Sequence, residues 1–343
     1  MKKLTLLSIV FVLMQTIGAM AQKIVSVSQF PAMKPDYSDI QAAIDAVEAG
    51  TKIYVYSGVY NGFTVNKQLT IIGPGYFLEE NPQNHAQAMS VIIQGTGIEI
   101  GSTASGSVIQ GLNIKTKVNI ENTQNITLKN CLMNITDYYQ RDLNIVVTGS
   151  SDIYIKGNYL TQGAVSTINI DISTSTNVNI LNNYINQTLN YWAVSIGNQL
   201  PCYLSNNVIY GALICQNAII SNNIWRGSRT DYYFYNRFTD CVIRNNISVD
   251  NTSFGLSGGN KYVEDFSTVF LSPSGTSDGQ WQLKEGSPAK GAGEGGTDCG
   301  MYGGIEPYKL SGISDIPVIY EFSAPLKAGA QDGLQVKLKV RTN

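Results

Sequence analysis

Short apolar runs separated by asparagine-rich turns recur along the chain between residues 126 and 247. In the stretch SNNVIYGALICQNAIISNNIW, residues 205–225, the tripeptide Ser-Asn-Asn appears twice, each time before an apolar run. Apolar residues or cysteines stand two and four positions before each turn, which is the period of a strand with one buried face. The turns are Gly157-Asn158, Asn182-Asn183, Asn206-Asn207, Asn222-Asn223 and Asn245-Asn246.

Each repeat contains three short strands and spans sixteen to twenty-eight residues. One strand precedes the turn, a second follows it, and a third leads into the next repeat. A unit of this size cannot bury a face alone, but stacked coils can, so the pattern predicts a parallel β-solenoid. The predicted third strands are Leu143–Ile145, Ile168–Ile170, Val194–Ile196, Ala212–Ile214 and Tyr233–Tyr235.

The asparagine turns predict a structural ladder at one corner of the coils. Asparagine tolerates the left-handed backbone of a tight bend, and its amide can bond to the equivalent residue in the next coil. Ligand binding or glycosylation of these residues is the alternative. Sequons such as Asn125-Ile126-Thr127 also arise by chance in a chain this rich in asparagine and threonine.

The five cysteines are predicted to include two free thiols in the core. Cys202 and Cys241 occupy equivalent inward positions two coils apart, which is roughly 9.6 Å at the usual strand spacing. A disulfide needs Cα atoms within about 7 Å. The facing of Cys215 stays open, and without a CxxC pair we expect no metal site.

Residues 1–21 have the pattern of a signal peptide, with Lys2 and Lys3 before an apolar core and Ala19-Met20-Ala21 as the cleavage site. A membrane anchor is the alternative, but the run is short for a span of about 20 residues. We therefore expect a secreted or cell-surface protein with no membrane span. Cleavage would change the net charge from −2 to −4, which gives no reason to expect nucleic acid as a partner.

A helix is predicted just before the first coils. Ser38 and Gln41 have the spacing of a capping box, and Gly50 is expected to end the helix. The helix would close the open end of the solenoid. Its apolar face would consist of Ile40, Ala43, Ile44 and Val47, and the strands predicted next are Ile53–Tyr56, Phe63–Val65 and Leu69–Ile72.

Two segments give the chain a family resemblance. The helix DIQAAIDA with the following IYVYSGVY and LTIIGPG resembles the entry segment of right-handed parallel β-helix proteins of the pectin-lyase-like superfamily. The segment GSPAKGAG…DCGMYGG, residues 286–304, resembles the terminal motif of secreted bacterial proteins of this kind. The resemblance implies an all-β, right-handed parallel β-helix domain over residues 22–308. Residues 309–343 form a short C-terminal β tail, with strands expected at Pro317–Phe322 and Leu334–Val340.

The resemblance does not carry a specific activity, because the superfamily holds lyases, hydrolases, esterases and non-catalytic proteins. The characteristic motifs of pectate lyases, pectin methylesterases and polygalacturonases are absent from the sequence. Where methylesterases have a glutamate, the segment GVYNG has Gly62. The single histidine, His85, stands in a polar loop and is expected to be solvated.

A substrate groove is expected along the third strand and its loops, as in related β-helices. Two long loops flank a coil whose loop, Tyr210-Gly211, is nearly absent, and this predicts a notch about two rungs wide. Aromatic, arginine and amide side chains there suit sugars. The predicted walls are Tyr191, Trp192, Arg226, Arg229 and Tyr232, and the predicted floor is Asn144, Asn169, Ser195 and Tyr235.

The notch could serve catalysis in two ways. A lyase could use Arg229 or Arg237, with calcium held by aspartates such as Asp142 and Asp171. A hydrolase could use Asp142 and Asp171 as its carboxylate pair. No other cofactor is expected, and each of these charges can equally be a solvated loop residue. The sequence thus favours a monomeric protein that engages an extracellular or cell-surface polysaccharide, either as a binding protein or as a lyase or hydrolase with a non-standard site.

Overall fold

The computed structural model describes residues 22–81, 89–134, 143–161, 168–187, 192–227, 236–315, 317–327 and 333–341. Within these ranges the chain winds through three walls of parallel strands, which we name sheets A, B and C. Residues 1–21, which contain the predicted signal peptide, and His85 lie outside the described residues. The predicted all-β parallel β-helix is confirmed by this strand pairing.

Each coil passes through sheet A, turns at the asparagine corner into sheet B, and crosses to sheet C. Sheet A contains Ile24–Val27, Lys52–Val55, Thr70–Ile72, Val108–Gln110, Thr127–Lys129, Ser151–Lys156, Thr176–Leu181 and Val242–Arg244. Sheet B contains Gly58–Asn61, Val91–Gln94, Asn113–Ile114, Leu132–Met133, Tyr159–Leu160, Tyr184–Asn186, Val208–Tyr210, Ile224–Trp225, Ile247–Ser248 and Lys261–Tyr262. Sheet C contains Thr64–Val65, Ile98–Ile100, Val118–Glu121, Leu143–Thr148, Ile168–Ser173 and Arg237–Thr239.

Two long strands, Trp192–Ser205 and Ala212–Ser221, run from sheet C into sheet A without a break. In the described chain, the last strand of sheet C is Arg237–Thr239, which pairs with Ile214–Gln216. The predicted strand Tyr233–Tyr235 lies outside the described residues.

The cap helix spans Ile40–Ala46, and its predicted apolar face is buried against the first coils. The predicted capping box is wrong by one residue. Asp39 is the N-cap, and its carboxylate accepts a hydrogen bond from the backbone N of Ala42 at 3.0 Å. Gln41 instead bonds to Asp45 and to the backbone of Thr64, and the helix ends at Ala46, before Gly50.

The second residue of each turn forms the predicted ladder inside the corner. Asn183 Oδ1 accepts hydrogen bonds from the backbone N of Asn158 at 2.9 Å and from its Nδ2 at 3.1 Å. Asn183 Nδ2 donates to Asn207 Oδ1 at 3.0 Å and to the carbonyl of Ile155 at 2.8 Å. These amides are buried, so the ladder satisfies polar groups that water cannot reach. Its members are Asn158, Asn183, Asn207, Asn223, Asn246 and Asn260.

The first residue of each turn has a different structural role. Its backbone is left-handed, with φ of 55° at Asn182 and 57° at Asn206. Most of these side chains bind a C-terminal segment, residues 289–315, which we call the strap. The strap runs back along the corner from late coils to early ones. Its contacts are Glu294 N to Asn222 Oδ1 (2.9 Å), Asn206 Nδ2 to Asp298 O (3.1 Å), Asn182 Nδ2 to Gly303 O (2.7 Å), Asn130 Nδ2 to Ile313 O (3.0 Å) and Ser314 Oγ to Gly73 O (2.7 Å).

A second apolar cluster lies between the outer face of sheet B and the C-terminal residues. Tyr159 stacks on Tyr184 with ring centroids 4.4 Å apart, and Tyr184 stacks on Trp281 at 4.8 Å. The buried carboxylate of Asp278 ties this region together. Its oxygens accept from Asn81 Nδ2 (3.1 Å), Thr276 Oγ1 (3.1 Å), Tyr308 OH (3.0 Å) and Ser311 N (2.5 Å).

Short 3-10 turns and a hairpin complete the described chain. The tail pairs Val318–Ser323 with Lys337–Arg341 in antiparallel fashion. All five cysteines are free, as predicted for Cys202 and Cys241; Cys202 is buried and Cys241 is half-buried against the core. The 3-10 turns are Pro31–Met33, Ser102–Ala104, Phe266–Thr268, Gly279–Trp281, Glu294–Gly296 and Leu310–Gly312.

Candidate functional site

The outer face of sheet C carries a row of mainly polar residues that follows the coils in register. Neighbouring members of the row lie one rung, about 4.8 Å, apart. In chain order the row is Thr64, Glu99, Asn119, Val146, Asp171, Ser195, Ile214 and Arg237. A second row, two residues further along each strand, is Glu121, Thr148, Ser173, Gly197, Gln216 and Thr239.

Three carboxylates stand in these two rows. Glu99 is exposed, and both of its oxygens accept from Asn119 Nδ2 at 2.9 Å, which fixes the carboxylate against the sheet. Glu121 is exposed, and Asp171 is half-buried. Sequence reasoning singled out Asp171 but missed Glu99 and Glu121. The period-2 pattern of IEI (98–100) and VNIE (118–121) carries the signal, because it continues the strand frame into coils that lack an asparagine pair.

Trp192 and Arg237 come together at the far end of the row. The guanidinium carbon of Arg237 lies 5.8 Å from the centre of the Trp192 ring, within range of a cation–π contact. Trp192 is half-buried and Arg237 is exposed, so this pair presents both an apolar plane and a cation to solvent. Ser195, predicted as part of the floor, is a half-exposed member of the outward row.

Asn144 and Asn169, the predicted floor residues of the notch, do not face solvent in the structure. Both are buried, and Asn144 Nδ2 donates to Asn169 Oδ1 at 2.5 Å. Asn169 Nδ2 donates to the carbonyl of Asn186 at 2.9 Å. The alternation places these residues outward, but the chain leaving sheet B at Asn186 covers this end of the strands.

Arg226 belongs to a different environment from the one predicted. Its guanidinium carbon lies 4.4 Å from the centre of the Tyr210 ring and 5.6 Å from that of Trp281. Phe266 and Phe270 complete the surroundings at 5.5 and 6.0 Å. Burial lowers the pKa of Arg226. The described contacts therefore place Arg226 in the aromatic cluster over sheet B, where its methylene stem and charged plane pack as one unit.

The coil with the nearly absent loop is confirmed as a tight corner. A single residue, Gly211, separates the strand Val208–Tyr210 from Ala212, and its φ of 117° suits glycine. A Cβ atom at this position would lie 2.2 Å from the carbonyl oxygen of Gln187. Trp225 Nε1 donates to the Gly211 carbonyl at 2.8 Å and holds the corner closed. The flanking loops that would make the notch, with Asp142, Tyr191, Arg229, Tyr232 and Tyr235, lie outside the described residues.

Among the described residues, no group of three or more His, Cys, Asp and Glu side chains is arranged to hold a metal ion. The expected use of calcium stays a prediction, since Asp142 is not among these residues. A helix long and apolar enough to span a membrane is likewise not found in the described part of the chain.

No protein-family model matches the chain, and no curated protein matches it in sequence. Solved structures do resemble it. The catalytic domain of a family 87 α-1,3-glucanase, solved with tetrasaccharides, matches at 15% identity over 66% of this chain and 52% of its own, with a TM-score of 0.41. A rhamnogalacturonan lyase matches at 10% identity over 66% and 68%, with a TM-score of 0.30. A pectate lyase matches at 12% identity over 83% and 97%, with a TM-score of 0.37.

The chain thus spans about half the length of the glucanase domain and nearly all of the pectate lyase. At these identities the likeness concerns the fold alone. With TM-scores below 0.5 it carries nothing about the function of this chain, which depends on the chain's own residues.

Proposed function

We propose that the protein is exported and binds an extracellular or cell-surface polysaccharide through the outer face of sheet C. The observation that supports this is the register of donors and acceptors from Glu99 to Arg237, which is interrupted only by Val146 and Ile214. Carboxylates, amides and hydroxyls hydrogen-bond to sugar hydroxyls, and the Trp192 ring offers an apolar plane for a sugar face. A flat, repeating surface of this kind suits a repeating, extended ligand.

The charges of this face indicate the kind of glycan. Glu99, Glu121 and Asp171 stand in the two outward rows, where Arg237 is the only cation among the described residues. An acidic chain would be repelled by these carboxylates unless a divalent cation bridged them. We therefore expect a neutral polysaccharide to bind directly, and a polyuronate to bind only with added calcium.

Binding without cleavage fits the described residues best. A lyase needs its base and its cation at one sugar. Asp171 and Arg237 are three rungs apart, about 14 Å between their backbones. A glycosidase acid is normally held in an apolar pocket, whereas Glu99 and Glu121 are exposed.

Affinity electrophoresis on gels containing neutral polysaccharides tests the proposal. Trp192→Ala and Asp171→Ala should each weaken retention of the full chain about tenfold, because each removes a contact from the row. The matched control is Glu285→Ala, an exposed acid outside the row, which should leave retention unchanged. Retention of both site variants at the wild-type level would contradict the proposal.

A glycoside hydrolase is the second candidate, and one observation favours it. Glu99 and Glu121 lie one rung and two residues apart, about 8 Å between backbones, close to the spacing of an inverting carboxylate pair. The test is the release of reducing ends from the same polysaccharides. Activity that Glu99→Gln and Glu121→Gln both abolish, while retention in the gel persists, would establish the hydrolase; no release from any polysaccharide would exclude it for that panel.

A further inference from the structure

A second surface, on the outer face of sheet A, presents an aromatic and apolar row to solvent. The row is Thr127, Tyr154, Asn179, Tyr203, Ile219 and Val242, each in register with the next. Tyr154 is 36% exposed and Val242 is 51% exposed, and Tyr203 and Ile219 are half-buried. Solvent faces of sheets normally alternate with polar side chains, so a row of this composition marks a contact surface.

The strap forms a wall beside this row. Two neighbouring cavities of about 380 and 480 Å³ lie between sheet A and the strap, and Lys156, Ile305 and Glu306 line both. Tyr154 and Leu181 line the sheet side of the larger one. Together they form a groove that runs across the coils rather than a closed pocket.

The rim of the groove carries an uncovered apolar residue. Ile305 is 99% exposed, although the strap is anchored on both sides of it. On one side, Asn182 Nδ2 bonds to Gly303 O at 2.7 Å, and on the other the Tyr308 hydroxyl is buried against Asp278 at 3.0 Å. The backbone of the strap therefore holds the Ile305 side chain at the rim of both cavities, where it is free to contact a ligand.

Every lysine that lines this groove is paired with a carboxylate of the strap, and the lining contains three lysines and three carboxylates. Lys129 and Lys309 share Asp315, and Lys156 pairs with Glu306. The third carboxylate, Glu294, lies 3.1 Å from Arg244 Nη2 beside the groove. A polyanion such as nucleic acid or polyuronate would have to break these pairs before it gained charge contacts. The groove therefore suits an uncharged ligand.

From these observations we propose that the groove on sheet A is a second glycan-binding site, specific for a neutral, linear sugar chain. Tyr154 lines the larger cavity, and Asn179 and Tyr203 continue the row beside it. Tyr154 and Tyr203 are two rungs, about 9.6 Å, apart and would stack on alternate sugars, with Asn179 between them as a hydrogen-bonding group. Ile305 would cover the chain from the strap side. The ligand class is that of the proposed function, but this site lies on a different sheet and consists of different residues.

The test is affinity electrophoresis of the full chain with dextran, laminarin and hydroxyethyl cellulose as neutral probes, and polygalacturonate as the charged one. The double variant Tyr154→Ala/Tyr203→Ala should weaken retention by at least one neutral probe tenfold or more. Retention by that probe should hardly change between 0.05 and 0.5 M salt, since no free charge takes part. The matched control is Tyr262→Ala, a tyrosine of sheet B that is 42% exposed and away from the groove.

A further variant separates contact from folding. Ile305→Ser removes a side chain that supports nothing in the free protein, so it should weaken retention severalfold and leave the unfolding midpoint unchanged. Unchanged retention in both the tyrosine double variant and Ile305→Ser would overturn the inference. Retention by polygalacturonate alone that salt abolishes would also overturn the inference. The same holds if a protein partner binds the groove and none of the neutral probes retains the chain.

The two sites fail independently. Loss of retention in Trp192→Ala but not in the tyrosine double variant would keep the sheet C proposal and overturn this one. The reverse result would keep the sheet A site and overturn the sheet C proposal. If no glycan retained the protein, both would be wrong.

Discussion

At the scale of single residues, the paired asparagines divide two tasks between them. The first member, such as Asn182, takes the left-handed backbone and gives its amide to the strap. The second member, such as Asn183, turns inward and bonds to the coils on either side. This division explains why the chain repeats two asparagines where one would suffice for a bend.

We expect Asn183→Ala to cost about 3 kcal/mol in the free energy of unfolding. The change leaves the buried backbone N–H of Asn158 without its acceptor and the carbonyl of Ile155 without its donor, and each such loss costs about 1–3 kcal/mol. Asn179→Ala, on the outward face of the strand Thr176–Leu181 that precedes this corner, should change stability by less than about 0.5 kcal/mol. Urea unfolding of the wild type and of the two variants checks this. Equal midpoints would show that the ladder does not contribute to stability.

The sequence predicts a residue's position correctly where the neighbouring residues alone determine it. The ladder follows from period-2 alternation and the conformational tolerance of asparagine, both of which are local. Asn144 and Asn169 obey the same alternation, yet the chain at Asn186 covers them, and that packing leaves no mark in the local sequence. Arg226 was misplaced for a related reason, because its aromatic partners Phe266 and Trp281 come from a distant segment.

At the scale of elements, the strap is the least expected part of the fold. Its sequence motif was recognised as a terminal feature, but its path back along the asparagine corner depends on backbone carbonyls, which sequence does not reveal. The segment GSPAKGAG…DCGMYGG, which resembles a terminal motif, therefore has a structural role in this protein. It holds the corner and forms one wall of the groove on sheet A.

We expect Asp278→Ala to destabilise the protein by at least about 3 kcal/mol. The change removes the acceptor for Tyr308, Ser311 and Asn81 inside a buried region, so several donors lose their partners together. Asp265→Ala, which removes only an exposed cap of a 3-10 turn, is the control and should cost far less. Thermal unfolding distinguishes them; similar shifts in both variants would mean that the Asp278 cluster does not fasten the strap.

At the scale of the whole molecule, the strap joins coils that a simple solenoid leaves independent. Contacts such as Glu294 with Asn222 and Ser314 with Gly73 connect late and early coils through one segment. Repeat proteins without such a connection are stabilised mainly between neighbours. We therefore expect the β-helix to unfold in one cooperative transition, with fluorescence and circular dichroism midpoints that coincide.

The buried hydroxyls and thiols predict loss of stability at high pH. Burial raises the pKa of Tyr76 and Tyr308 above 10.0, and that of Cys131 and Cys299 from 9.0 to about 12. The unfolded chain releases these protons at lower pH than the folded one, so it binds fewer protons above pH 9 and the free energy of unfolding falls as pH rises. Below pH 9 these groups are protonated in both states and their contribution is complete.

Urea midpoints measured from pH 7 to pH 11 check this dependence. Up to about pH 9 these groups should not change the urea midpoint, and above that pH the midpoint should fall. Cys131→Ala should make the fall shallower, because one of the titrating groups is gone. A midpoint that rose above pH 9 would contradict the burial of these side chains.

Binding of a polysaccharide to the outer face of sheet C is tested by comparing the affinities of two proteins. The dissociation constant for the best-retained neutral polysaccharide is compared between the wild-type chain and the double variant Asp171→Ala/Trp192→Ala. Both proteins must have the same unfolding midpoint. We expect the variant to lose affinity by tenfold or more. Equal dissociation constants would show that the ligand lies elsewhere on the protein and would contradict binding to sheet C.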